Sequence, residues 1–201
     1  LFGLTLIILS ITAMVLFVNA IAAILLALTI FYYIFIYTVW LKRRTPQNIV
    51  IGGGSGALPP MIGWASVSGS ISLDSFLLFA IIFMWTPPHF WALALYSSGD
   101  YEKAGIPMMP AVLGIKGTKK LMLVYSILLW PLTISPTFTG LITIPSGVII
   151  GLLGLWFIRH AIKVKNSNEF DEPRAMFKYS ISYLFLIFVI FLVDRGIQAY
   201  L

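Results

Sequence analysis

Three short stretches of the chain hold side chains that can do chemistry. The first is Leu41-Lys42-Arg43-Arg44-Thr45-Pro46-Gln47-Asn48, with Tyr37 just before it. Three adjacent cations with a Thr and an Asn make an anion site suited to a phosphate or diphosphate, Arg acting as a planar fork and Lys as a point charge. The same triplet also works as a topological anchor against lipid headgroups. The second stretch is Asp100-Tyr101-Glu102-Lys103-Ala104-Gly105-Ile106-Pro107-Met108-Met109-Pro110, running on to Gly117-Thr118-Lys119-Lys120. Asp100 can hold a Mg²⁺ that bridges to a diphosphate, or it can be a solvated loop acid. Glu102 would point away from Asp100 in a helix, so further carboxylates would have to come from Glu169, Asp171 or Glu172. The third is Trp85-Thr86-Pro87-Pro88-His89-Phe90-Trp91, where a lone histidine sits between apolar runs. His89 could be an axial ligand to a porphyrin iron, a hydrogen-bond donor or a general base. It could equally bond a carbonyl freed by the prolines.

The elements that must position these residues are membrane spans. Of 201 residues, 60% are hydrophobic and only 10% charged, against about a quarter charged in soluble domains, so a globule could not hide the apolar surface. Apolar runs long enough to cross ~30 Å of hydrocarbon as helix occur near 4–18, 21–41, 49–67, 76–95, 121–138, 144–162 and 181–197. The first is weak for its length and the third for its glycines. An all-α polytopic membrane protein of seven spans follows, as a single domain over residues 1–201.

The net charge of +6 reflects topology and not a nucleic-acid partner. Twelve of the thirteen Lys and Arg residues fall in three connections, 42–44, 103–120 and 159–178, with Arg195 the outlier. The alternate connections, around Asn19, Ser68–Ser75 and Ser135–Pro145, hold no Lys or Arg. By the positive-inside rule the N-terminus and the basic connections face the cytoplasm or matrix. Both chemistry-bearing connections lie on that face. The absence of cysteine excludes disulfides and thiolate metal sites.

Two spans are expected to depart from plain helix. Gly52-Gly53-Gly54-Ser55-Gly56-Ala57-Leu58-Pro59-Pro60 begins one, and Pro87-Pro88 is expected to interrupt another. Each break must be shielded by neighbouring helices or line a cavity. Gly52 and Gly56 also form a GxxxG pair suited to helix packing.

Four stretches taken together resemble a known family. They are Tyr37-Thr38-x-x-Leu41-Lys42-Arg43-x-Thr45-x-x-Asn48, Gly52-Gly53…Gly56-Ala57-x-Pro59-Pro60-x-x-Gly63-Trp64, Trp85 to Leu93, and Asp100-Tyr101-x-x-Ala104-Gly105-Ile106-Pro107-Met108. In this order they resemble the protohaem IX farnesyltransferases, or haem O synthases, of the UbiA prenyltransferase superfamily. The resemblance implies a bundle of nine transmembrane helices around a central cavity, in a bacterial cytoplasmic or mitochondrial inner membrane. It implies transfer of a farnesyl group from farnesyl diphosphate to a vinyl group of haem b, with water added, to give haem O. Mg²⁺ is the implied cofactor, and haem A synthase or oxidase assembly proteins are the implied partners. Carried over residue by residue, Lys42, Arg43, Asn48 and Lys119 would bind the diphosphate. Asp100 and Tyr101 would stand at the second aspartate-rich motif, with Asp100 on the metal. His89, Trp85 and Trp91 would line the haem side of the pocket.

The superfamily's first motif, an Asn followed by two spaced Asp residues, has no counterpart here. Seven spans against nine imply that two helices and this loop would precede Leu1, and that the 201 residues alone would be inactive. Two other readings remain open. A quinone-type prenyltransferase fits Lys42-Arg43-x-Thr45 but not Trp85–Trp91, and a membrane haem-binding or transport protein explains His89 but not the paired cytoplasmic motifs.

Overall fold

The computed structural model describes residues 1–96, 107–169 and 171–200, and among these every regular element is helical. In chain order they are α1 (Phe2–Phe17), α2 (Ala20–Phe31), α3 (Asn48–Ala57), α4 (Pro59–Ser68), α5 (Leu73–Tyr96), α6 (Met109–Ile134), α7 (Ile144–Asn166) and α8 (Asp171–Tyr200). A widened π-helical stretch, Tyr32–Leu41, continues α2 without a break. Four continuous runs are long and apolar enough to cross a membrane: Ala20–Leu41, Leu73–Tyr96, Ile144–Asn166 and Asp171–Tyr200. The chain is an integral membrane protein, and its lipid-facing residues include Leu152, Phe185 and Leu192.

α5, α6, α7 and α8 pack on one another around the main core, built on Ile81, Met122, Leu129, Ile150, Phe157, Tyr183 and Ile187. α3 and α4 lean on α5, α2 leans on α4, and α1 lies along α2 without burying a residue fully. Small residues allow the closest approaches. An added methyl at Gly154 would strike Trp130, whose indole N–H donates to the Gly151 carbonyl at 2.9 Å.

Hydrogen bonds between distant connections fix which ends coincide. The Asn48 amide donates to the Pro107 carbonyl at 3.1 Å, and Lys119 Nζ donates to the Ser167 carbonyl at 2.6 Å. All three basic connections therefore gather at one end of the bundle. At the opposite end, Asn19 caps α2 by accepting from Ala22 N and donates to the Ala65 and Ser66 carbonyls near the end of α4. Asp194 accepts from Thr143 N and Thr143 Oγ1 at the start of α7.

The glycine-proline run divides its span as expected, with Leu58 at the junction of two ten-residue helices. Pro87 and Pro88 do not divide theirs. α5 runs through both, so the expected interruption is corrected to a continuous helix that lacks two backbone donors. Packing from α3, α6 and α8 on the same helix outweighs the loss. α6 instead bends at Gly114, whose φ of +72° suits a residue without a side chain.

Candidate functional site

The glycine-rich helix α3 stands between the π stretch and α5, and the glycines set its distance from each. A methyl on Gly52 would collide with the Tyr37 ring, one on Gly53 would come within 2.9 Å of Thr86 Cγ2, and one on Gly54 would touch the Tyr32 hydroxyl. Tyr32 in turn donates to the Ile51 carbonyl at 2.8 Å. Gly56 meets nothing within 4 Å. Three glycines thus serve packing, and the fourth opens onto a cavity.

That cavity has a volume of about 750 Å³, within the range of ordinary ligand sites. Its walls come from α1, α2, the π stretch, α3 and α5, and they are mainly aliphatic, aromatic and glycyl. Tyr37, Asn48 and Phe90 lie toward the basic end, while Thr29, Gly56 and Ile82 lie toward the other. Asn48 to Gly56 on α3, and Phe90 to Ile82 on α5, each span eight residues of helix, so the cavity extends about 12 Å along the bundle.

The π stretch carries one wall and delivers the cations. Its i to i−5 pattern shows in the bond from Lys42 N to the Tyr37 carbonyl at 2.8 Å, and π geometry, rare overall, occurs frequently at functional sites. Lys42 Nζ lies 6.0 Å from the centre of the Tyr37 ring, which is itself part of the cavity wall. Arg43 and Arg44 are exposed beside it.

Asn48 organises this mouth from below. Its side chain is 1% exposed, and its amide donates to the Thr45 carbonyl at 2.7 Å and the Pro107 carbonyl at 3.1 Å, with the Lys42 carbonyl farther off at 3.5 Å. All three partners are carbonyls, so the nitrogen and not the oxygen faces them. Both amide protons are then engaged on main chain. To donate to a diphosphate, Asn48 would have to release one of them.

The other expected residues are dispersed. Trp85 lines the cavity. His89 is not among the walls; it stands behind Trp85, stacked between Trp85 at 4.1 Å and Phe177 of α8 at 4.6 Å. Its Nδ1 is within hydrogen-bond distance of Ser180 Oγ at 2.6 Å, and that hydroxyl also lies 2.6 Å from the Phe177 carbonyl. Trp91, nine residues from Ile82 and so on the opposite face of α5, is 1% exposed in the main core against Tyr125. Lys119 is buried at 8% exposure on the Ser167 carbonyl and joins α6 to the third basic connection. Asp100 and Tyr101 lie outside the described residues.

Among the described residues no group of three or more His, Asp or Glu is close enough to share a metal ion. Glu172 pairs with Lys163 at 3.9 Å. Sequence reading missed Ser180, the partner of His89. It also missed Thr29 and Tyr33 as walls; an unusual density of tyrosine in a span was the one available signal for the latter.

Comparison with known proteins places this geometry in a lineage. The family described as the UbiA prenyltransferase family matches residues 1–189. A protein of Mesorhizobium japonicum named protoheme IX farnesyltransferase 2 is 52% identical, over 98% of this chain and 64% of its own length. Proteins named protoheme IX farnesyltransferase from Bartonella tribocorum and Parvibaculum lavamentivorans are 52% and 51% identical, over 100% and 96% of this chain and 66% and 62% of their own lengths. The chain thus spans just under two thirds of the length of these curated relatives. No solved structure matches it. With the family match running through nearly all of its helices, the chain belongs to the UbiA prenyltransferase family.

Proposed function

We propose that the chain is part of a membrane prenyltransferase that transfers a farnesyl group from farnesyl diphosphate to a vinyl group of haem b, with addition of water, to form haem O. The observation that carries this reading is the apolar cavity ending beneath the Lys42–Asn48 connection. It suits a ligand with a long hydrocarbon tail and an anionic head. The names of the relatives support farnesyl as the group transferred and haem as its acceptor.

In this reading Lys42 and Arg43 bind the diphosphate, and the allylic C–O bond breaks with its electron pair leaving on the diphosphate. The aromatic faces of Tyr33, Tyr37 and Phe90 shelter the allylic cation. The vinyl carbon of haem attacks it, and water adds to the cation left on the haem side, releasing a proton. Mg²⁺ would supply further charge neutralisation to the diphosphate; no step is assigned to it from the described residues. The membrane is taken as a bacterial cytoplasmic one, with the basic end inward.

The test is to incubate membranes of the complete protein with haem b, farnesyl diphosphate and Mg²⁺ and to analyse the haems by mass spectrometry. A product heavier than haem b by farnesyl plus hydroxyl is expected. Haem retained unchanged would point to a binding protein, and prenylation of a quinone precursor in its place would point to another branch of the family; either overturns the proposal.

A further inference from the structure

A second, smaller apolar space of about 440 Å³ is a groove along the outer side of α8, bounded by Pro59, Pro60, Leu184 and Phe188 and by the exposed Ile181 and Phe185. It shares two wall residues with the first cavity, Ile82 and Trp85. Ile82 stands at the end of the first cavity farthest from the cationic mouth, and Pro59 and Pro60 come three and four residues after Gly56 at that same end. The two side chains of α5 therefore form a partition, and the second space adjoins the first at the end farthest from the cationic mouth.

The partition is fixed and not a swinging gate. The Trp85 indole N–H donates to the Ser180 carbonyl at 2.9 Å, and one face of the ring is covered by His89. His89 is held in turn by its bond to Ser180 Oγ and by stacking on Phe177. Trp85 is thus held by its own bond to α8 and by stacking on His89, which α8 fixes through Ser180 and Phe177.

We infer that Trp85, with Ile82, sets the length of prenyl chain that the enzyme accepts. A tail entering with its diphosphate at Lys42 runs toward Gly56 and ends against these two side chains. Removing the indole joins the two spaces and admits one further isoprene unit. His89 and Ser180 act as positioning residues for Trp85 and do not touch the tail. The inference rests on the first cavity being the prenyl site.

The experiment uses the complete protein in membranes with haem b, supplied with equal concentrations of farnesyl and geranylgeranyl diphosphate, and reads the ratio of the two prenylated haems by mass spectrometry. Trp85→Ala is expected to raise the twenty-carbon to fifteen-carbon product ratio at least about tenfold, since even one methylene group in an apolar pocket changes discrimination by about that factor. Ile82→Ala leaves the Trp85–Ser180 bond in place and is expected to shift the ratio in the same direction, which guards against misfolding of the first variant. Adding Leu184→Trp to Trp85→Ala refills the space behind and is expected to return the ratio toward that of the unaltered protein. A ratio unchanged in Ile82→Ala and in any active Trp85→Ala preparation overturns the inference. Failure of the unaltered protein to prenylate haem at all overturns the functional reading beneath it.

Discussion

Asn48 allows the sharpest separation of scaffold from ligand contact. Substitution by Ala removes a buried amide whose two protons are on the Thr45 and Pro107 carbonyls, at 2.7 and 3.1 Å. At about 1 kcal/mol for each hydrogen bond, with some penalty for carbonyls left without a donor, the loss comes to about 2 kcal/mol. For a chain of this size that corresponds to a fall in Tm of about 4–8 °C. Asn48→Asp should be worse, because a carboxylate then faces two carbonyl oxygens. The assay is thermal unfolding of the complete protein in detergent, paired with KM for farnesyl diphosphate in Asn48→Ala, Lys42→Ala and the double variant. Because Asn48 holds the connection that carries Lys42, the two substitutions should be non-additive by about 0.5 kcal/mol or more in binding. A Tm within one degree of the unaltered protein, together with additive effects on KM, would refute the scaffold role and return Asn48 to direct contact with the diphosphate.

Lys42→Ala and Arg43→Ala should each lower kcat/KM for farnesyl diphosphate by about ten- to a hundredfold, the value of a charge-assisted hydrogen bond of about 1.5–3 kcal/mol, as steady-state kinetics would show. Gly52→Ala should destabilise the fold by about 1–3 kcal/mol because the new methyl meets the Tyr37 ring, whereas Gly56→Ala has open space and should leave Tm unchanged while altering substrate KM. Asp194→Ala removes the acceptor of Thr143 N and Thr143 Oγ1 and should lower Tm by an amount corresponding to about 1.5–3 kcal/mol without changing KM for the diphosphate.

The sequence made some of this structure legible and concealed the rest for physical reasons. Hydrocarbon thickness dictates the length of an apolar helix, so every expected apolar run falls in helix, four of them long and apolar enough to cross a membrane, and the sorting of Lys and Arg located the end where Asn48 meets Pro107. The division at Leu58 was written in Gly and Pro. The same logic failed at Pro87-Pro88, because two missing donors cost less than the packing of three neighbouring helices on α5 returns. The π stretch was invisible because Tyr32–Leu41 is apolar on all sides, and a segment without a polar face has no hydrophobic period to read. Of the candidate residues, Lys42, Asn48 and Trp85 converge on the cavity or its mouth. His89, Trp91 and Lys119 were marked by polarity or size, which cannot reveal the direction a side chain takes. For His89 that direction was set by a serine 91 residues later.

The hydrogen bonds onto Ser180 also bear on how the protein is made. Trp85 and its partner carbonyl are 95 residues apart, so a growing chain that has already inserted α1 to α5 holds the cationic mouth's first connection but no fixed inner partition. Chains emerge N-terminus first, and the binding chamber therefore acquires its final dimensions only when the last helix joins the bundle. Until then Trp85 lacks its carbonyl partner and His89 lacks both Ser180 and Phe177, so the docking of α8 is the step that fixes this side chain of the chamber wall.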